Sequence, residues 1–292
     1  MSDRATVLYD APGPRARTRN RVLTAVCVIV VLAVLYYVYA KFDAKGQWAA
    51  AKWTPFLKGD VWVTYLLSGL VNTLKAAALG GVCAMVFGMV FGIARLSRYA
   101  LIRIPAGAVV EVFRAIPLLM LIFFILTGSY PLFGVFTDPL TAVVGGLTLY
   151  NGSVIAEIIR AGINAVPKGQ SEAAQAIGLR PGEVMRTVLL PQAITAMMPA
   201  IVSQLIILLK DSALGFIVAY PELVSQAKIG GNFFGNVIPT MIVVAIIYII
   251  VNWLLGRFAN WLERRNARRG RGSAAVPTAP GVDLETPTQA PA

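Results

Sequence analysis

Six stretches of this chain are long and apolar enough to leave water: 22–40, 76–94, 104–126, 140–156, 192–209 and 233–256. A helix rises about 1.5 Å per residue, so roughly 20 apolar residues cross the ~30 Å hydrocarbon core of a bilayer. Only 104–126 carries charge, with Glu111 and Arg114 near its start. Lipid offers no hydrogen bonds to the backbone, and a spanning helix satisfies its own. The expected fold is an all-α membrane protein with about six transmembrane helices.

Composition agrees: 57% of the 292 residues are hydrophobic and 14% charged, against about 25% charged in soluble domains. The net charge of +12 does not point to nucleic acid, because the arginines flank apolar runs where topology is decided. The chain has no histidine, and its two cysteines, Cys27 and Cys83, lie in different apolar runs, where they read as small buried hydrophobes. No metal site and no cofactor of this chain's own are expected.

Residues 1–21 hold Arg15, Arg17, Arg19 and Arg21 among Pro and Gly and read as a basic, disordered cytoplasmic arm. Run 22–40 reads as a retained first span rather than a signal peptide, being long for one and lacking a clear cleavage site. A 41–60 loop, a 61–262 transmembrane domain and a disordered 263–292 cytoplasmic tail follow. With both termini inside, Arg95, Arg98, Arg103 and the Arg257–Arg271 cluster obey the positive-inside rule. Lys41, Lys45, Lys52 and Lys58 break it, only partly offset by Asp43 and Asp60.

Segment 161–191 is too charged to span. Helix formers at 170–177, Gly178 as a C-terminal cap and Pro181 in a first turn predict helix, tight turn and helix. Ala173, Ala174 and Ala176 offer a small-residue surface for close approach by another protein.

Glu172-Ala173-Ala174, then three residues, Gly178, nine residues and Val188-Leu189-Leu190-Pro191 resembles the EAA loop of ABC import permeases. The usual pattern has Ile where Val188 stands. That resemblance implies a type I importer permease in the plasma (cell inner) membrane. Its coupling helix, with Glu172, Ala173, Ala174, Gly178 and Pro191, would dock on a separate ATP-hydrolysing subunit. Glu111 to Leu119, Tyr150-Asn151-Gly152, Glu157 to Ile163, Gly169-Gln170 and Leu209 to Leu214 are similar to the polar amino-acid subfamily, of histidine, glutamine and glutamate type. Ser212-Ala213 stands where Thr-Ser is commoner, and the whole chain is most similar in character to actinobacterial glutamate permeases.

An ionisable residue within a span marks a pathway or a structural pair. Lys210 and Asp211 are therefore candidate pathway residues, with Glu157, Arg160 and Arg114 as candidate gate residues. The i,i+3 spacings Glu157/Arg160 and Glu111/Arg114 permit same-face pairs. Asn151, Ser153, Ser203 and Gln204 offer neutral hydrogen bonds. No G-x-x-x-x-G-K-[ST] loop occurs, so the chain is not expected to be an enzyme. The resemblance implies ATP and Mg on the partner ATPase, a second permease subunit (a heterodimer rather than a homodimer), an extracytoplasmic substrate-binding protein and surrounding membrane lipid. The alternative is an ion-gradient-driven secondary transporter using Lys210, Asp211 and Glu157 as its coupling chain.

Overall fold

The computed structural model describes residues 13–271, all helices and connections among these. Helix α1, Pro14–Ala44, starts earlier than the expected arm allowed. Proline lacks only an N–H that would be unpaired at a first turn, and its fixed φ suits helix entry. Alanine and arginine then extend the apolar span toward the N-terminus. Residues 1–12 of the expected arm lie outside the described residues. No residue of α1 is buried.

An elbow of short helical turns, Ala50–Trp53, Thr54–Leu57 and Gly59–Val61, leads into a continuous helical run over Gly59–Ala94. A π-helical turn at Trp62–Leu67 precedes the regular part, α2, Ser68–Ala94. The expected third span is not one straight helix. It breaks into α3, Ala100–Ala115, and α4, Leu118–Phe133, bent by 101°. Pro117 explains the break: it has no N–H to donate and pushes the preceding residue out of the helical region. Ile116 is accordingly extended, at φ −82° and ψ 128°.

Helix α5, Pro139–Asn164, is the centre of the bundle and packs on α2, α3, α4 and the later α7. Its start is well specified. Pro139 occupies the first turn, and the Asp138 carboxylate accepts from the Leu140 and Thr141 amides at 3.1 and 3.3 Å. The Thr141 hydroxyl bonded to Asp138 also holds that carboxyl below its ordinary pKa. After the short α6, Lys168–Ala176, a helical run over Pro181–Val218 contains α7, Leu190–Asp211. Helix α8, Leu223–Phe233, then packs on α2, and α9, Val237–Arg271, packs on α7 and α8.

The α2–α5 crossing carries the main core. Ile155 and Ile159 are fully buried there. A Cβ on Gly88 would fall 2.5 Å from Ile155 Cγ2 and 3.1 Å from the Gly152 carbonyl, so only glycine permits this approach. Cys27 and Cys83, expected to be buried, are exposed on α1 and α2. Both sit on outward faces, where a small apolar thiol suits lipid as well as core. The expected 263–292 tail is helical as far as Arg271, because α9 carries on beyond its apolar segment; residues 272–292 lie outside the described residues.

Candidate functional site

The 161–191 segment forms the predicted helix, turn and helix. Helix α6 ends two residues before Gly178, whose φ of +89° is a conformation that L side chains avoid. Pro181 opens the next turn, and the Arg180 amide donates to Glu183 Oε2 at 2.7 Å. The three alanines do not share one surface. Ala174 is buried against the chain, whereas Glu172, Ala173, Ala176 and Gly178 are exposed beside Ile177, which is 80% exposed. Pro191 is exposed in the first turn of α7. Gln192 Nε2 donates to Gln170 Oε1 at 3.3 Å, joining α7 to α6. Helix α6 is thus joined to α5 by residues 165–167 and touches α7 through this contact.

At the end of α5 that leads into α6, one carboxylate collects three guanidinium groups. Glu157 Oε2 lies 2.7 Å from Arg95 and 3.7 Å from Arg114, while Oε1 is 2.5 Å from Arg160. The Glu157/Arg160 pair anticipated from spacing is present. Glu111 and Arg114 make separate bonds instead, because Arg95 reaches Glu111 at 3.2 Å and Arg114 turns to Glu157. The hub thus ties the C-terminus of α2 and the last turn of α3, just before its break, to α5. Arg95 was legible only as a topology charge. Its position at the C-cap of α2, where the helix dipole favours a cation, makes it the bridge between both carboxylates.

Along α5 and α7 the polar groups are buried. Gln204 Nε2 donates to Asn151 Oδ1 at 2.7 Å. Among the described residues the Asn151 amide nitrogen and Ser153 Oγ find no partner within hydrogen-bond geometry, and the half-buried Asp211 carboxylate is a second polar neighbour of Asn151 beside Gln204. Ser203 is exposed. Lys210 forms no ion pair with Asp211; it lines a groove of about 510 Å³ with Ala213, Tyr248, Ile249 and Asn252. Glu157 sits among arginines, and among the described residues no chain of ion pairs links it to Lys210 and Asp211.

A further buried carboxylate carries no sequence motif. Glu222, fully buried, caps α8 by accepting from the Val224 and Ser225 amides at 2.8 and 2.7 Å. The same turn is held to α2: Asn72 Nδ2 donates to the Pro221 carbonyl, Tyr220 OH donates to the Asn72 carbonyl, and the Leu223 amide donates to Thr73 Oγ1. Burial drives the Glu222 carboxyl up to about 7, against the two capping amides. A lone acidic residue before Leu223 was the available signal.

The family model described as "Binding-protein-dependent transport system inner membrane component" matches residues 84–268, which contain the hub, the broken α3–α4 pair, α6 and the polar strip. The chain belongs to this family. Over 253 residues it is 42% identical to the glutamate transport system permease protein GluD of Corynebacterium glutamicum, covering 84% of this chain and 91% of that protein. It is 33% identical over 210 residues to the probable glutamine ABC transporter permease protein GlnP of Bacillus subtilis, 70% of this chain and 94% of that one. A solved amino acid ABC transporter, crystallised with histidines, superposes with TM-score 0.64 at 33% identity, covering 68% of this chain and 92% of that chain. The all-α importer-permease architecture read from the EAA loop is therefore established. The ion-gradient alternative gains no support from these relatives.

Proposed function

We propose that this chain is the pathway-forming subunit of an importer that moves a polar amino acid, glutamate, into the cytoplasm while a separate subunit binds ATP and Mg and hydrolyses the nucleotide. The observation that carries the reading is α6, a short helix projecting Glu172, Ala173, Ala176 and Ile177 between the helix that bears the ion hub and the helix that bears Lys210. A solvent-facing apolar side chain such as Ile177 suits burial in a partner's groove. Gly178 and Pro191 keep the turn and the re-entry into α7 in register with that contact.

An extracytoplasmic binding protein delivers the substrate, and a second permease of different sequence completes the path. Both termini face the cytoplasm, which keeps Arg95, Arg98, Arg103 and Arg257 on that side. Motion of α6 changes the angle between α5 and α7. Glu157, with Arg95, Arg114 and Arg160, then acts as the inner gate, holding α2, α3 and α5 together until the ATPase subunits move. The outward- and inward-open states are two packings biased by nucleotide and substrate.

The identity to GluD supports glutamate, as does the Lys210 ammonium in its groove, a suitable partner for an acidic side chain. Asp211 and Asn151 supply the complementary acceptor and donor for an α-ammonium and α-carboxylate. Proteoliposomes holding the chain with its ATPase, second permease and binding protein test this. Lys210→Met should lower glutamate uptake roughly tenfold or more, the scale of one lost charge-assisted hydrogen bond, with assembly intact. Unchanged uptake rejects the assignment.

A further inference from the structure

The four lysines that break the positive-inside rule fall on the elbow between α1 and α2. Lys41, Lys45 and Lys58 are exposed there, and none of the ion pairs among the described residues includes them or Lys52. The segment is ordered by its aromatic groups. Trp48 stacks on Tyr39 and Trp53 with ring centroids 5.7 and 6.0 Å apart. The Trp48 and Trp53 indole N–H groups donate to the carbonyls of Tyr39 and Gln47. The elbow is also fastened to the bundle, because Asn236 Nδ2 donates to the Lys52 carbonyl at 2.8 Å.

Indoles with their N–H groups satisfied internally present apolar faces, as membrane-interface aromatics do. Beside them Lys41, Lys45, Lys52 and Lys58 outnumber Asp43 and Asp60, and none of the ion pairs among the described residues joins the two sets. The adjoining helix α1 buries none of its residues, so acyl chains can lie along it. We infer that the elbow is a binding site for an anionic phospholipid, its phosphate held by Lys41, Lys45 and Lys58 and its acyl chains laid against α1. The charge complementarity specifies an anionic headgroup, and the aromatic ladder with α1 specifies a lipid rather than soluble phosphate. This site also explains how excess positive charge is tolerated on the face opposite the arginine clusters. The inference rests on membrane residence and is independent of the transported substrate.

A lysine close to an anionic membrane surface is worth about fivefold in binding. The full chain, purified from membranes of mixed phosphatidylglycerol and phosphatidylcholine, should retain phosphatidylglycerol preferentially when lipids are counted by native mass spectrometry. A photoreactive phosphatidylglycerol should label 41–60. Lys41→Gln, Lys45→Gln and Lys58→Gln combined should cut both signals tenfold or more, and the corresponding triple arginine variant should restore them. Glycerol phosphate at millimolar concentration should not compete. Equal retention of the neutral lipid, unchanged labelling in the glutamine variant, no rescue by arginine, or displacement by glycerol phosphate would each overturn the inference. So would labelling that disappears whenever the extracytoplasmic binding protein is added, which would mark the elbow as that protein's seat.

Discussion

Helices α1 and α5 both satisfy the length and apolarity of a membrane span, yet they do opposite work. Helix α1 is free of charge over 22–40 and buries no residue. Helix α5 carries Asn151, Glu157 and Arg160 and buries eleven residues, among them Asn151, Ser153, Ile155 and Ile159. The more uniformly apolar helix buries nothing within this chain, and the helix with polar groups is packed against its neighbours. Apolarity thus reports which solvent a span must face; the interruptions report where the bundle has its centre. In lipid, apolar surface gives no reason for helices to associate, so close packing and polar contacts decide which ones do.

The largest test of this contrast is steric. Gly88→Leu would drive a branched side chain into Ile155 and the Gly152 carbonyl. Overpacking of this kind costs about 3 kcal/mol, and thermal unfolding in detergent should show a large loss of midpoint or of folded yield. A tolerated leucine would mean that α2 and α5 are not pressed together as described.

The next effect is electrostatic. Glu157→Gln would leave Arg95, Arg114 and Arg160 facing one another without the carboxylate that gathers them. Because the hub is partly exposed, screening limits the loss to about 1–3 kcal/mol. ATPase activity should rise in the absence of substrate as the inner gate loosens. Basal activity equal to that of the natural sequence would remove Glu157 from the gate.

How much of this was legible beforehand differs element by element. The six apolar runs are long enough to outvote local ambiguity, so the spans were readable, and the EAA spacing located α6 and its turn. The break at Ile116-Pro117 is hidden by the apolar run that continues across it, and Pro117 is its one local signal. Pairing within the hub was also out of reach. Spacing along one helix predicts Glu157 with Arg160, but Arg95 comes from another helix, and only tertiary packing tells it apart from an ordinary topology charge. Glu222 was invisible for a similar reason: its burial is created by Asn72 and Thr73, some 150 positions away.

A smaller effect follows from that carboxylate. Glu222 has a folded-state pKa raised to about 7, above the ordinary glutamate value of about 4.3. Between these values the folded state binds more protons than the unfolded one, so stability is fully present below the lower value and is lost as pH rises through the upper one. Tyr220 and Tyr248 are the other titratable groups facing it, and phenols ordinarily titrate at about 10, above this range. The unfolding midpoint should therefore fall by a few degrees from pH 5 to pH 8, and Glu222→Gln should flatten that slope. Identical slopes would show that the carboxyl does not titrate in the junction. Smallest of all, Leu32→Ala on α1, 59% exposed, should change detergent stability by no more than about 0.5 kcal/mol; a larger loss would give α1 a protein neighbour within its own chain.

The most direct test of the account is cysteine cross-linking from α6 to the ATPase subunit, in a background with Cys27 and Cys83 replaced by serine. Single cysteines at Ala173 and Ile177 should cross-link efficiently and respond to ATP, while one at the buried Ala174 should not. Cross-linking strongest at position 174, or absent from all three with the complex assembled, would contradict α6 as the helix through which ATP hydrolysis reaches the membrane.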